Sequence, residues 1–392
     1  MPRKYQSFAS VAGLMIAAAL SIALPAFAEP VRPEDDALVL ANVPPRTAGQ
    51  DDDAKTPAGQ LSLDLAVQVA RTAIEQGRAN SDPRAYGEAE AALSNWWNET
   101  EPPEQVRMLR AVIRQASHEF QLAAADLDVL LQRAPRNTQA RLSRAFLRMV
   151  TGDIDGAFAD CEALPYGARG LVRAICLARA AALSGQAEKG RLVLQQALAS
   201  DPQSARNMQN FAAAVLADIN VGLGHSADAE TLYAAAIAGP SPDVSLFAAY
   251  ADLLLDADRP ADVLNILEGK GEQDALLLRR AIAAKRVSDP RLAAWSKILN
   301  ERFVAAAAAG NRVHLREEAM FRLDVEGDAA AALPLAVQNW LVQKEPADAR
   351  LLMLAAIAVK DHEAARPAIN FIATTKLDDA RLRPLLAQLG NK

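Results

Sequence analysis

From residue 61 to the C-terminus, apolar residues recur at the three- and four-residue spacing that forms one face of an α-helix. No stretch alternates apolar and polar residues in the way that marks a half-buried strand. Turn-forming residues interrupt the helical pattern about every 12 to 18 residues. The chain is therefore predicted to be all-α and to consist of helix-turn-helix pairs.

A repeat of about 34 residues runs through this region. With frames starting at residues 104, 138, 171, 210, 244, 274 and 313, small residues dominate two columns. The eighth place holds Ala111, Ala145, Ala178, Ala217, Ala251, Ala281 and Met320. The twentieth place holds Ala123, Ala157, Gly190, Ala229, Val263, Ala293 and Ala332. Small residues at these two places let two antiparallel helices approach closely.

The tetrapeptide Ser-Asp-Pro-Arg occurs twice, at residues 81–84 and 288–291. Its aspartates, Asp82 and Asp289, lie 207 residues apart, which equals six steps of 34.5 residues. Aspartate is a favoured helix N-cap, and proline fits the first helical position because its missing N–H needs no partner there. We therefore interpret both copies as helix starts at equivalent places in the repeat.

The turns and helix ends resemble those of the tetratricopeptide repeat (TPR). The turn slot carries Gly152-Asp153, Gly185-Gln186, Gly224-His225 and Gly327-Asp328, and Pro135 and Pro202 end second helices. The resemblance covers about residues 61–378 and implies a right-handed α-solenoid of antiparallel helix pairs, a TPR superhelix. We expect about nine pairs over residues 61–378, followed by a C-terminal capping helix and tail over residues 379–392.

A closer likeness concerns four segments in this order: SDPRAYGEAEAAL, RMLRAVIRQASHEFQLAAADLDVLL, RFVAAAAAGNRVHLREEAMFRL and NWLVQKEPADARLL. They resemble a group of exported bacterial TPR proteins. This second resemblance implies fold and compartment, and it implies no activity.

The N-terminus has the pattern of a secretory signal peptide over residues 1–28. Arg3 and Lys4 precede an apolar run over residues 11–24, and Ala26-Phe27-Ala28 forms a small-x-small cleavage site. An uncleaved anchor is the alternative, but the run is short for a membrane span. We expect cleavage after Ala28 and a periplasmic or secreted mature chain, with no integral membrane span.

Residues 29–60 are rich in Pro, Asp and Gly and lack helical periodicity, so they are predicted to form a disordered arm. The whole chain has a net charge of −6, and loss of Arg3 and Lys4 with the signal peptide leaves −8. Both this sign and the compartment argue against a nucleic-acid partner.

Two neighbouring frames carry arginines at identical places, in RMLRAVIR (residues 107–114) and RLSRAFLR (residues 141–148). Arg110 and Arg144 hold the seventh place, and Asp126 and Asp160 hold the twenty-third place across the helix pair. In four other frames both places are apolar or small, and only Arg280 with Ser296 breaks the rule. We therefore predict structural salt bridges Arg110–Asp126 and Arg144–Asp160, because a lone buried charge is costly.

The remaining arginines of these two helices stay open between ligand contact and a structural role. Six guanidinium groups on neighbouring helices could clamp a carboxylate or a phosphate. The four without an assigned partner are Arg107, Arg114, Arg141 and Arg148.

The two cysteines, Cys161 and Cys176, fall near the end of one second helix and early in the next first helix. In an oxidising compartment this placement predicts a disulfide, and two buried thiols are the alternative, since Cys176 lies further from the turn. The four histidines lack the spacing of a zinc-binding helix, and the sequence has no nucleophile or phosphate-loop motif. We expect no enzyme activity, no metal site and no cofactor.

By resemblance to TPR domains, the second, fifth, ninth, twelfth and thirteenth places of each repeat line a concave groove. The apolar candidates are Met108, Val112, Leu142, Phe146 and Met149. The acidic candidates are Asp218, Asp252, Asp256, Glu317 and Asp324. A core role is the alternative for the apolar set, and a solvated face is the alternative for the acidic set.

These observations predict an exported TPR scaffold that binds a partner protein or an extended peptide in its concave groove. The acidic wall suggests that the partner segment is basic. The alternative is a structural TPR component of a periplasmic envelope-export or polysaccharide-secretion assembly.

Overall fold

A computed structural model describes residues 61–164, 170–239 and 242–390. The predicted signal peptide and arm, residues 1–60, lie outside the described residues. Within the described ranges every regular element is helical, as the sequence predicts. No helix in these ranges combines the length and the apolar character needed to cross a membrane.

The helices follow one another with short connections. In chain order they are α1 (Leu63–Asn80), α2 (Pro83–Ala92), α3 (Ser94–Trp97), α4 (Glu104–Ala116), α5 (Phe120–Arg133), α6 (Thr138–Thr151), α7 (Ile154–Glu162), α8 (Gly170–Ala182), α9 (Ala187–Ser200), α10 (Arg206–Leu223), α11 (Ser226–Ile237), α12 (Val244–Asp256), α13 (Pro260–Ile266), α14 (Asp274–Val287), α15 (Leu292–Ala308), α16 (Leu315–Met320), α17 (Ala329–Val342), α18 (Pro346–Val359), α19 (Arg366–Thr375) and α20 (Arg383–Gly390). A π-helical turn, Phe321–Glu326, extends α16, and a 3-10 turn, His362–Ala365, precedes α19.

Across the described residues these helices form nine packed pairs. Pair 1 is α1 with α2, and pairs 2 to 7 run from α4–α5 to α14–α15. Pair 8 is α16 and its π-helical turn with α17, and pair 9 is α18 with α19. The short α3 joins pairs 1 and 2, and α20 follows pair 9 inside the region predicted for a capping helix. The prediction of an all-α solenoid of paired helices is confirmed.

The turn inside every pair contains one residue with a left-handed backbone. These nine residues are Ser81, His118, Gly152, Gly185, Gly224, Asp258, Ser288, Gly327 and Lys360. This conformation returns backbone N–H groups to the last carbonyls of the first helix, for example from Asp153 to Arg148 at 2.8 Å. The chain therefore reverses in the same way nine times.

Both Ser-Asp-Pro-Arg copies form these turns. Ser81 and Ser288 adopt φ values of 50° and 57°, and each following aspartate accepts a hydrogen bond from the backbone N–H of the arginine two residues later, at 3.0 and 2.9 Å. The copies lie in pairs 1 and 7, six repeats apart, which is the separation that the 207-residue spacing predicts.

The two small-residue columns lie mostly in the core. Every alanine of the eighth place is fully buried, and Gly190 is so close to the Ala178 backbone that a Cβ would approach its carbonyl oxygen at 2.8 Å. Ala293 is the exception in the twentieth place. It is exposed because it is only the second residue of α15, so the second helix of pair 7 is out of register with the 34-residue frame.

Two buried aspartates each form ion pairs with three arginines of the preceding first helix. Asp126 contacts Arg107, Arg110 and Arg114 at 3.5, 2.7 and 2.7 Å. One repeat later, Asp160 contacts Arg141, Arg144 and Arg148 at 3.1, 2.7 and 2.8 Å. The middle arginine of each set binds bidentately, with N···O distances of 2.9 and 2.7 Å in both clusters.

These clusters decide the open question about the four unassigned arginines. All six guanidinium groups hold helices of pairs 2 and 3 together through carboxylates that are only 3% and 1% exposed. In the structure they form two packing clusters and not a ligand clamp.

Cys161 and Cys176 form a disulfide in the structure. The bond joins α7 of pair 3 to α8 of pair 4, and both residues are fully buried. Residues 165–169 between them lie outside the described residues. The bond closes a loop with a sequence separation of 15 residues, and such a crosslink stabilises a fold by about 3 kcal/mol in the chain-entropy description.

The C-terminal part of the solenoid folds back on the turns of pairs 2 to 5. We call residues 343–380 the closing segment. The side chain of Gln343 contacts His118 at 3.2 Å, and the backbone N–H of Lys344 donates to the Val150 carbonyl at 2.8 Å. Further along, the Ala380 N–H donates to the Gly222 carbonyl at 2.7 Å. The chain therefore closes on itself across well over 100 residues.

Three turn glycines lie directly under the closing segment. A Cβ on Gly152 would meet the Phe371 ring at 2.9 Å, and one on Gly224 would lie 3.2 Å from Ala380. A Cβ on Gly185 would overlap the backbone carbonyl oxygen of Lys376. Residues with side chains hold the same left-handed position in other pairs, so it is the closing segment that requires glycine at Gly185.

Gly185→Ala tests this closure against a matched control, Gly310→Ala. The two glycines have φ values of 71° and 68°, so alanine is strained equally at both, but nothing lies within 4 Å of the Gly310 position. We expect Gly185→Ala to lower the free energy of unfolding by about 1 to 3 kcal/mol more than the control. Urea denaturation followed by circular dichroism measures both, and equal losses would contradict the closure.

Asp160→Asn tests the second arginine cluster. It removes the single negative charge that three guanidinium groups share, so we expect a loss of about 3 kcal/mol or more. Arg148→Ala removes one partly exposed cation and should cost about 1 kcal/mol. Glu162→Gln, exposed on the same helix, is the control. Thermal and urea denaturation give the ranking, and an Asp160→Asn loss no larger than that of Arg148→Ala would overturn it.

Candidate functional site

Two adjoining cavities lie where the first helices face the C-terminal pairs. The outer cavity has a volume of about 700 Å³, and the inner cavity has a volume of about 290 Å³. Arg316 of α16 borders both of them. Because they are built from helices of both halves of the solenoid, the cavities depend on the fold closing on itself.

The outer cavity lies between the turn of pair 1 and the first helices of pairs 7 and 8. It is lined by residues 80–84, 272–275, 313–314 and 316–317, together with His118, Arg302 and Gln343. Two of its arginines are already paired, Arg84 with Asp82 at 3.0 Å and Arg302 with Asp274 at 2.6 Å.

Two hydrogen-bond acceptors in the outer cavity lack a partner among the described residues. Glu317, one of the predicted acidic groove residues, makes no ion pair or hydrogen bond there. The side-chain oxygen of Gln273 is buried and accepts no hydrogen bond. Glu317 is therefore the acceptor that this cavity leaves available to a ligand, since no solvent reaches the Gln273 oxygen.

His118 forms part of the wall between the turn of pair 2 and the closing segment. Its ring stacks on Phe120 with the centroids 5.2 Å apart and contacts the Gln343 amide. Burial lowers the pKa of His118 to about 4, with Arg316 and His314 acting in the same direction and Glu317 and Glu345 opposing them. The imidazole is therefore neutral at pH 7.

The inner cavity lies between the first helices of pairs 3 to 6 and the closing segment. Its charged lining groups are Arg179, Asp218, Asp252, Arg316, Glu345, Asp378, Asp379 and Arg381. Its apolar lining includes Met149, Leu183, Val215, Ile219, Leu253 and Leu377.

Arg316 is the centre of a charge network on one side of this cavity. It contacts Asp348 at 2.6 Å and Glu345 at 2.7 Å, and both carboxylates also cap the start of α18. Burial alone would lower the pKa of Arg316, but the two carboxylates hold it well above its usual range. The network fixes the start of α18 against the inner cavity.

The acidic groove residues Asp252 and Asp256 bind arginines of the same chain. Asp252 pairs with Arg279 at 2.7 Å, and Asp256 pairs with Arg350 of the closing segment at 2.7 Å. The sequence analysis assigned both to a wall that would attract a basic partner segment. That assignment needs correction, because the cations that offset these carboxylates come from pairs 7 and 9.

Asp218 and Arg179 also face the inner cavity, and neither has an ion pair within the described residues. Asp218 accepts a hydrogen bond from the Tyr233 hydroxyl, and burial raises the pKa of its carboxyl group. Protein atoms surround Asp218, but its side chain stays exposed to solvent where it lines the cavity. The Arg179 guanidinium lies over the Phe146 ring, 5.4 Å from its centroid, and makes no hydrogen bond in the described part of the chain.

The apolar groove candidates separate into two groups. Met108 and Met149 are 6% and 2% exposed and belong to core clusters, which is the alternative that the sequence left open. Val112, Leu142 and Phe146 are half-buried and pack against those clusters. Only Phe146 supports a charged group of the inner cavity.

The last acidic candidate, Asp324, lies in the π-helical turn of pair 8. Burial raises the pKa of its carboxyl group, and its backbone carbonyl accepts a hydrogen bond from Lys285 at 3.0 Å. It faces the end of α14 and borders neither cavity.

Several cavity residues were not found from the sequence, above all Tyr233, Arg316, Glu345 and Arg381. Most of them lie in pairs 8 and 9 or after them, where the repeat is degenerate, and they reach the cavities only because the fold closes. The spacing Glu345-Pro346-x-Asp348 is a helix-start signal, but it does not reveal that the carboxylates bind Arg316. No group of three or more His, Cys, Asp or Glu side chains in the described ranges is arranged to hold a metal ion.

The low pKa of His118 predicts an acid sensitivity of the closed fold. Between pH 6.5 and 4 the unfolded chain binds a proton at this position and the folded chain does not, so stability falls as the pH is lowered through this window. From pH 7 to pH 5 the loss is roughly 2 kcal/mol. His118→Asn keeps a residue that accepts the left-handed backbone and should abolish this part of the loss.

Urea denaturation of both proteins at pH 7 and pH 5 measures the difference. His225→Asn, in the turn of pair 5, is the control and should retain the full loss. If His118→Asn loses as much stability as the wild type on acidification, the imidazole titrates normally and the wall is more open than described.

The sequence matches no protein-family model and no curated protein. Among solved structures it is similar to a tetratricopeptide repeat protein from Parabacteroides merdae, with 17% identity over 60% of this chain and 93% of that chain and a TM-score of 0.40. It is also similar to the Cut9–Hcn1 complex of the APC/C, with 13% identity, coverage of 83% and 63%, and a TM-score of 0.49. A third is a Rap protein complexed with competence and sporulation factor, with 13% identity, coverage of 85% and 89%, and a TM-score of 0.45.

These likenesses concern the repeat fold alone. The helix pairs, their repeated turns and the small-residue columns described above give the chain a TPR-like scaffold architecture, a kind of fold that supports protein–protein interaction in general.

Proposed function

We propose that the protein is an exported helical-repeat scaffold that binds a segment of another protein or peptide in the outer cavity. The observation that carries the proposal is the Glu317 carboxylate, which lines that cavity and makes no ion pair or hydrogen bond among the described residues. A carboxylate without a partner beside a cavity favours a ligand that carries hydrogen-bond donors. The proposal is a binding function and assigns no catalysis.

The chemistry of the cavity favours a basic side chain on the partner. Lys and Arg carry only donors, and Glu317 offers a full negative charge to them. Glu272 and Asp274 line the same cavity and engage Arg302, and Asp82 engages Arg84, so neither arginine competes with the partner for Glu317. A volume of about 700 Å³ lies within the usual range of ligand pockets and accommodates a short stretch of peptide.

The proposed binding surface differs from the groove expected from the sequence. Asp252 and Asp256 are neutralised by Arg279 and Arg350, so a partner gains little from them. Glu317 is the acidic groove residue that lines the outer cavity, and it makes no ion pair among the described residues. The proposed basic contact therefore lies at the entrance formed by pairs 1, 7 and 8.

Export to the periplasm is part of the proposal. The N-terminal pattern that ends at Ala28 supports it, and so does the Cys161–Cys176 disulfide, because stable disulfides belong to oxidising compartments.

A second candidate is a structural component of a periplasmic envelope-export or polysaccharide-secretion assembly. It is favoured by apolar side chains that the fold leaves in water, Leu341 at 75% exposure and Leu122 at 50%. Both border a third cavity of about 620 Å³ between pairs 2, 3 and 8. Exposed apolar groups beside a concavity are typical of surfaces that pack against another protein.

Crosslinking in the native compartment distinguishes the two candidates. A photo-reactive amino acid replaces Ala275 in the outer cavity, and in a second protein it replaces Leu341. An adduct from position 275 that contains one peptide or protein supports binding in the outer cavity. Adducts from position 341 alone favour the assembly component.

With the crosslinked partner purified, Glu317→Gln tests the proposed contact. We expect the dissociation constant to rise about tenfold, because a charge-assisted hydrogen bond is replaced by a neutral one. Glu301→Gln, a solvent-exposed change on α15, is the control. Surface plasmon resonance measures both at two salt concentrations, and an unchanged affinity for Glu317→Gln would refute the contact.

A further inference from the structure

We propose that the inner cavity binds a free α-amino acid with an apolar side chain, whose carboxylate is held by Arg179 and whose ammonium group is held by Asp218. This site is separate from the outer cavity and needs no protein partner. Arg179 and Asp218 are the two charged groups of the inner cavity that have no ion pair within the described residues.

The Arg179 side chain is held in place by an aromatic ring, but its hydrogen-bond donors are not used. Its guanidinium group lies 5.4 Å from the centroid of the Phe146 ring, a contact that covers one face of the planar group. None of its five N–H donors has a partner in the described part of the chain, although it borders the inner cavity. A guanidinium edge in this state matches a carboxylate, which accepts two parallel hydrogen bonds from it.

Asp218 is the negatively charged counterpart of Arg179, and it too is held in place without an ion pair. The Tyr233 hydroxyl donates to its Oδ1 atom, and the Tyr233 ring packs against Tyr250 with the centroids 5.9 Å apart. One carboxylate oxygen of Asp218 is thus fixed by a buried phenol, and Oδ2 has no donor among the described residues. An ammonium group supplies three donors to such a carboxylate.

The other charges of this cavity are satisfied within the chain. Asp252 is paired with Arg279 at 2.7 Å, Glu345 with Arg316 at 2.7 Å, Asp378 with Arg383 at 2.7 Å and Asp379 with Arg381 at 2.6 Å. Arg179 and Asp218 share the cavity without pairing with each other, since no nitrogen of one lies within 4.0 Å of an oxygen of the other. A zwitterion that contacts both groups supplies each of them with an opposite charge.

The size and the remaining walls specify the ligand further. A volume of about 290 Å³ lies at the lower end of small-molecule pockets, which suits a single amino acid better than an extended peptide. The aliphatic wall formed by Leu183, Val215 and Leu377 suits an apolar side chain. Leu377 belongs to the closing segment, so the pocket is complete only in the closed fold.

Isothermal titration calorimetry of the mature chain with three probes tests the proposal. L-Leucine carries both charges, L-leucine methyl ester lacks the carboxylate, and N-acetyl-L-leucine lacks the ammonium group. We expect L-leucine to bind and each derivative to bind at least about tenfold more weakly, because each leaves one of the two charges without its partner. L-Valine, L-methionine and L-phenylalanine extend the series to other apolar side chains.

Two variants assign the charges. Arg179→Gln should weaken leucine about tenfold or more and remove the preference for leucine over its methyl ester. Asp218→Asn should do the same for the preference over N-acetyl-leucine. The controls are Arg191→Gln on α9 and Asp228→Asn on α11, which lie outside the cavity, and circular dichroism verifies that all four variants fold.

The specific loss of one preference in each variant distinguishes recognition from a general loss of structure. If none of the four amino acids binds the wild type, the proposal is wrong. It is also wrong if Arg179→Gln and Asp218→Asn bind leucine as tightly as the wild type. Neither result bears on the outer cavity, whose contact is measured with Glu317 and a protein partner.

Discussion

The reversal of the chain inside each helix pair is the constraint on which the rest of the structure depends. One residue with a left-handed backbone ends each first helix, from Ser81 in pair 1 to Lys360 in pair 9. Because the reversal is the same each time, the C-terminal ends of successive first helices form a continuous row. In pairs 3 to 5 that row is made of glycines, and the absence of side chains lets the closing segment lie against the backbone.

The parts of the fold that the sequence predicted are those with a short-range signal. Helix pairs follow from periodicity, and the Arg110–Asp126 and Arg144–Asp160 contacts follow from two columns of one repeat that change together. Arg280 shows the limit of that reasoning, since it holds the same place without an acid. Its guanidinium group instead donates to the carbonyls of Leu267 and Lys270 at the end of pair 6. Backbone acceptors leave no trace in the amino-acid sequence.

The candidate site was less predictable, because it depends on contacts between distant parts of the chain. His118 meets Gln343, and Gly222 meets Ala380, across separations that no periodic pattern records. Glu317, predicted as an acidic groove residue, lines the outer cavity, but no pattern in the sequence shows that Asp252 and Asp256 meet Arg279 and Arg350. Their partners lie in pairs 7 and 9, where the repeat is degenerate. Regular spacing identifies which residues share a helix face. The contacts made by the closing segment determine which of these residues remain free to bind a ligand.

Most charged groups around the inner cavity form ion pairs within the chain, and the candidate site lies where two of them do not. In pairs 2 and 3 one carboxylate serves three guanidinium groups, and around Arg316 one guanidinium group serves two carboxylates. Arg179 and Asp218 belong to neither arrangement, and each lacks an ion pair in the described chain. A ligand bound there contacts first helices of the central pairs and the closing segment at once. It therefore binds the closed form more tightly than any form in which the segment has moved away, and by linkage it stabilises closure.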